Sequence, residues 1–217
     1  MHSQPGHRPP RDRRIPAAPA AGERRRGRPA LPPEHQRQRL LEAARAALRG
    51  SDFGSIRVTD VVRAAGMSSR SFYEHFDSKE DLLLALIHET GREIVGQLET
   101  IFATVEVPRE RIDRGLEAYL RAFAGTPLDL EKLGESASGR VQKLLRHYVQ
   151  EIAVRVEGEL ERLAREEVIR RPPDPIALEV LLVGLLGLAS RYVAEGKAEE
   201  LLALQPRLSA FLLRVWS

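Results

Sequence analysis

The sequence predicts an all-α chain: a basic arm (residues 1–33), a small three-helix head (residues 34–78) and a larger helical body (residues 79–217). Three observations predict it. Apolar residues recur at three- and four-residue spacing along most of the chain after Pro33, the period of helices packed on one side. Two short helical patterns flank Gly66-Met67-Ser68, the layout of a helix-turn-helix. A much longer pattern opens behind Ser78-Lys79-Glu80-Asp81, a helix-capping sequence.

The first helix is expected from Glu34 to about Arg49, after Pro32-Pro33, with Leu40, Leu41, Ala44 and Leu48 as its apolar stripe. In the following loop, Gly50 to Gly54, Phe53 is expected to plug the small core, and Asp52 tolerates a left-handed backbone. Val61, Val62 and Ala65 mark the next helix, and Gly66 supplies the positive φ that ends it abruptly. Ser68 then caps a helix on which Phe72 and Phe76 fall one turn apart. Its other face carries Ser69, Arg70, Ser71, Tyr73 and His75. In a helix-turn-helix the first helix braces and the second offers its N-terminal polar residues to the major groove.

The run GMSSRSFYEHFDSKEDLL resembles the DNA-binding signature of the tetracycline-repressor (TetR) family of bacterial regulators, with the aromatic-aromatic-x-His-aromatic core and the Ser-Lys-Glu helix start at matching spacing. The resemblance covers roughly Leu40 to Ile87. It implies that Ser69, Arg70 and Ser71 lie at base edges, Arg70 bridging O6 and N7 of guanine, and that Thr59, Tyr73, His75 and Lys79 contact DNA, the last three at phosphates. It also implies a homodimer on a palindromic operator in double-stranded DNA, held through the last two helices, and a repressor released by a small-molecule effector. One departure is Arg57, which stands where the family has a Thr or Ser cap.

The arm carries eight arginines against Asp12 and Glu23, a net charge of +6 where the whole chain has only +3. Rich in proline, with little to bury, it is expected to be disordered alone. Within it Arg26-Gly27-Arg28-Pro29 resembles the core of an AT-hook, in which Arg26 and Arg28 would enter the minor groove of A·T-rich DNA. A plain basic tail is the alternative reading.

In the body, Leu83, Leu86, Ile87, Ile94, Leu98, Ile101 and Phe102 form a stripe about six turns long, broken at Val107-Pro108. Ile112, Leu116, Tyr119, Leu120 and Phe123 mark the next helix, and a short irregular piece is expected around Leu128 to Leu133. A long helix follows from Gly139 to Ile169. Ile176 to Val193 is the most apolar stretch, with Glu179 the one charge up to Ala189, so burial on more than one side is expected. Gly184 and Gly187 permit close helix approach, and a single last helix runs from Glu199 to Trp216. The body is expected to enclose a largely apolar effector pocket, with Phe102, Tyr119, Phe123, His147 and Tyr148 as candidate lining.

Composition narrows the function classes. With no cysteine in 217 residues, disulfides, thiolate catalysis and Cys-ligated metal are excluded. The six histidines have no Cys, Asp or second His at ligand spacing. No paired-carboxylate site, nucleophile elbow or phosphate loop is present, and Glu166-Glu167 read as a solvated face. No enzyme, no cofactor, no metal and no membrane span is therefore expected, and the location is expected to be cytoplasmic. The competing reading is a ligand-independent, architectural DNA-coating protein; an apolar cavity in the body would favour the regulator over it.

Overall fold

Pro33, with no N–H to lose, opens α1 (Pro33–Leu48) at the first helical position, where that N–H has no partner in any case. The computed structural model describes residues 32–49, 51, 53–125, 138–170 and 174–216. The arm with Arg26 and Arg28, Asp52 and the 128–133 piece lie outside the described residues. Among the described residues there is only helix with connecting turns and bends.

The head comprises α1, α2 (Val58–Ala65) and α3 (Ser69–Tyr73). At Arg57 the cap works in reverse: the Asp60 carboxylate accepts from the Arg57 backbone N–H at 3.1 Å, so α2 starts at Val58 without a Thr or Ser before it. Gly66 sits at φ 64, and Met67 N donates to Val62 O at 2.8 Å, closing α2 in a left-handed Schellman turn. Leu40, Leu41, Val61, Phe72 and Leu86 are essentially inaccessible and build one core with the first turns of the next helix.

That next helix is α4 (Lys79–Thr104), capped by Ser78, whose hydroxyl accepts from Asp81 N at 3.1 Å. At 26 residues it is about 39 Å long. Its early residues Leu82, Leu83 and Leu86 belong to the head core, and Ile94 and Leu98 to the body core. Glu89 clamps it to α1 through Arg37 at 3.2 Å and Arg45 at 3.1 Å. Residues 32–217 accordingly form one compact unit.

The body adds α5 (Pro108–Gly125), α6 (Gly139–Arg165), α7 (Pro175–Ala194), α8 (Ala198–Ala203) and α9 (Gln205–Trp216). Helix α4 packs on α5 and α6, α6 on α7, and α5 on α8 and α9. Three expectations are corrected here. Helix α6 stops at Arg165, not Ile169, because Glu167 takes φ 59 and lets Val168 N reach Leu163 O at 3.0 Å. The terminal helix is two: α8 ends at Ala203, and α9 restarts with Pro206 in its first turn.

Helix α7, third, is not buried all round. Leu178, Leu182 and Ala189 are buried, whereas Ile176 is 73 %, Val180 67 % and Val183 52 % exposed. At 20 residues α7 is long and apolar enough to cross a membrane by length and composition alone, longer than the fourteen-residue apolar stretch suggested. Its buried face is part of the body core.

Candidate nucleic-acid interface and effector cavities

The turn and α3 are set by two opposed faces. Phe72 and Phe76 are 0 % and 4 % exposed, with ring centroids 5.5 Å apart, and fix the helix against α1 and α2. Ser68 caps α3 by accepting from Ser71 N at 3.1 Å, and its hydroxyl lies 3.0 Å from that of Ser71. The outward face is what remains. The Arg70 side chain is 90 % exposed, tethered by Nε to Glu74 at 3.2 Å, an exposed i,i+4 pair worth only a few tenths of a kcal/mol. Ser69 and Tyr73 are exposed, His75 lies half-buried just past the end of α3, and Thr59 is exposed in the first turn of α2.

Two expected contacts look different in three dimensions. The Ser71 hydroxyl is half-buried and engaged with Ser68, so Ser69 and Arg70 are the freer groups. Lys79 is turned inward. Its ammonium donates to the carbonyls of Phe53 at 3.0 Å, Gly54 at 3.1 Å and Ile56 at 3.0 Å, and sits 4.7 Å from the Phe53 ring centroid. Three donors on three carbonyls make Lys79 a lock on the loop before α2 in the chain without DNA.

Beside the head, the starts of α4 and α6 are clipped together. Ser138 donates to Glu80 at 2.6 Å, and Arg140 donates to Asp81 at 2.9 Å. The Ser78 hydroxyl first, and Arg140 second, hold the Asp81 carboxyl below its usual range.

Two adjoining cavities occupy the body. The first, about 50 Å³, is bounded by Ile87, Gly91, Phe123 and Tyr148; the second, about 80 Å³, by Phe102, Arg111, Glu159 and Leu212. Tyr119, Ile152 and Leu182 form the wall common to both. Burial pushes the Tyr119 phenol far above its ordinary pKa, so it is a neutral hydroxyl in an otherwise apolar wall. The sequence-predicted lining residues Phe102, Tyr119, Phe123 and Tyr148 thus meet at these cavities. His147 does not: it is exposed in a surface groove with His88 and Lys143.

Sequence reasoning missed the polar end of the second cavity. Arg111 donates to Glu159 at 2.6 Å and to Glu166 at 2.5 Å, and also to the Glu106 carbonyl at 2.9 Å. Glu159 further holds Arg162 at 2.5 Å, and Arg162 donates to Phe102 O at 2.7 Å. Burial alone would lower the Arg111 pKa, but the bonds to Glu159 and Glu166 outweigh it and raise it. Glu166 is therefore an ion-pair partner rather than part of a purely solvated face. The signal was a charge in the buried register, Arg111 one turn before Gly115 and Glu159 beside the core residue Leu160.

Residues 40–86, from the second half of α1 through α2 and α3 to the start of α4, match the family of bacterial regulatory proteins, tetR family. Residues 40–86 thus carry a segment similar to the TetR-family DNA-binding module. A Mycobacterium tuberculosis relative, named as an uncharacterized HTH-type transcriptional regulator, is 32 % identical over 89 residues, 41 % of this chain and 44 % of the relative. The chain thus spans less than half the length of that relative. The HTH-type transcriptional regulator EthR of Mycolicibacterium smegmatis is 25 % identical over 185 residues, 82 % of each chain. Among solved structures, the transcriptional regulator FadR of Bacillus subtilis in complex with stearoyl-CoA superposes with a TM-score of 0.67 at 16 % identity, over 81 % of this chain and 97 % of that one. This last likeness is one of fold: a helix-turn-helix head on a helical body. The relatives named here are transcriptional regulators, and residues 40–86 are the part of this chain that matches their DNA-binding family.

Proposed function

We propose that this chain is a TetR-family regulator, a cytoplasmic repressor that binds a palindromic operator as a homodimer and is released by a small lipophilic effector. The observation that carries the reading is the course of α4, whose first turns are built into the head core and whose later turns, from Ile87 to Phe102, wall both cavities. A molecule wedged there acts on the helix that positions the reading face, provided it favours the displaced state over the other.

Base reading falls to Ser69 and Arg70, and phosphate contacts to Tyr73 and His75, with Thr59 and Ser71 at the margin. The dimer uses α7 and α9. Ile176, Val180, Val183, Phe211 and Val215 are exposed there, and Gly184 and Gly187 face open space. Such an apolar face is stabilised by a second copy pairing as a four-helix bundle. The stearoyl-CoA complex of the Bacillus subtilis regulator supports a lipophilic effector. The cavities also favour a regulator over an architectural coat, which needs no ligand space. Selecting bound sequences from a random DNA pool, then screening the recovered sequence for release by lipophilic compounds, tests the proposal. An enriched palindrome released by one of them supports it, and recovery of no preferred sequence contradicts it.

A further inference from the structure

We infer that Tyr148 is the side chain through which occupation of the first cavity reaches the DNA-reading head; the inference rests on the effector reading above and adds the residue that carries the signal. Tyr148 stands on α6 and is buried. It belongs to the hydrophobic cluster of the head, with Leu86 and Ile87, yet it lines a cavity that Ile94, Tyr119, Ile152 and Leu182 of the body cluster also line.

Tyr148 grips α4 at two points one turn apart. Its ring lies flat against Gly91, where any Cβ would collide with ring carbons. Its hydroxyl is hydrogen-bonded to His88 Nδ1. The next residue, Glu89, holds Arg37 and Arg45 of α1. The contact from cavity to head therefore runs through consecutive groups: Tyr148 ring, His88, Glu89 and the arginines of α1.

Size makes movement necessary. A cavity of about 50 Å³ is about a third of the ~150 Å³ that accepts a benzene ring, so a ligand of even that size must displace a wall. Tyr119, 6 % exposed, can give way only toward the second cavity, not to solvent. Tyr148 has an exit, because its outer edge meets His88 and His147, both exposed. Moving it out breaks the bond to His88 and lifts the ring off Gly91, which frees the 88–91 turn of α4 to slide against α6.

The test uses the full-length chain with ¹⁵N-labelled histidine, toluene as the probe, and the operator recovered by selection. Saturating toluene is expected to shift the His88 Nδ1 resonance and weaken operator binding about tenfold, within the range usual for coupled sites. Tyr148→Phe, which keeps the ring and removes the hydroxyl, is expected to cut that factor to below about threefold at saturation. Val149→Phe, which fills the same cavity without ligand, is expected to reproduce the His88 shift. Toluene bound with an unmoved His88 resonance overturns the inference alone, as does an undiminished factor or a loss of toluene binding in Tyr148→Phe. No toluene binding by the unaltered chain, together with an unmoved His88 in Val149→Phe, overturns the cavity reading as well.

Discussion

Arg111 on α5 and Glu159 on α6 face each other at 2.6 Å with both side chains only 4 % exposed. Through Arg111 the pair also holds the carbonyls of Val105 and Glu106, the connection between α4 and α5. It therefore pins the end of α4 remote from the head to two other helices. A buried pair of this kind adds little over an apolar pair of the same volume, because desolvation offsets the attraction, but one charge left alone is costly.

Arg111→Met is accordingly expected to destabilise the fold by about 1–3 kcal/mol, less than a fully stranded buried charge would, because Glu159 keeps its burial and loses Arg111 but retains Arg162 at 2.5 Å. Arg111→Met combined with Glu159→Met should recover most of the loss, since Arg162 and Glu166, 4.0 Å apart, still have each other. Denaturant titration of the two variants checks this; equal losses would show that the pair is not the source of the cost.

Lys79 separates a structural from a DNA-contacting role. Lys79→Met should cost about 1–3 kcal/mol of stability, because three carbonyls lose a charged donor. The dependence of DNA affinity on salt should stay as in the unaltered chain. A salt slope smaller by about one would return Lys79 to a phosphate contact.

Alkaline pH tests the wall between the cavities. Burial raises the Tyr119 pKa in the folded chain, so above about pH 10 the unfolded chain releases a phenolic proton that the folded chain retains. This contribution is fully present below the unfolded pKa and is lost as pH rises, at up to ~1.4 kcal/mol per pH unit. Tyr119→Phe should therefore lose less stability than the unaltered chain between about pH 9 and about pH 11. An identical loss in both would place the phenol in contact with solvent.

Val180 lies at the centre of the exposed α7 face and is 67 % exposed in the single chain. Val180→Glu should leave folding intact, yet yield a monomer by sedimentation that loses most of its operator affinity, because a lone head forfeits the second half-site. A variant that stays dimeric would move the interface elsewhere.

The head was legible in the sequence because its determinants are local. Phe72 and Phe76 one turn apart, Gly66 at a positive φ and the Ser68 and Ser78 caps each act within about four residues. Of the cavities, the aromatic lining could be read from helical stripes, but not its facing: His147 and Tyr148 are neighbours in sequence, and only Tyr148 turns inward. What stayed hidden depends on partners far away in the chain. Arg111 meets Glu159 across 48 residues and Lys79 meets Phe53 across 26, and neither spacing leaves a periodic trace. The stop at Glu167 was hidden for another reason: a glutamate there gives no sign of the left-handed turn that a glycine would have signalled.

The central claim, that the exposed face of α3 reads DNA sequence, is tested most directly by comparing the binding preferences of the unaltered chain and Arg70→Ala across a random DNA pool. Loss of a guanidinium bridging one base is predicted to relax preference at a single symmetric pair of positions, at a cost of about 1–3 kcal/mol per contact, while preference elsewhere in the site persists. A uniform fall in affinity for selected and random DNA alike would contradict the account and take the reading role away from α3.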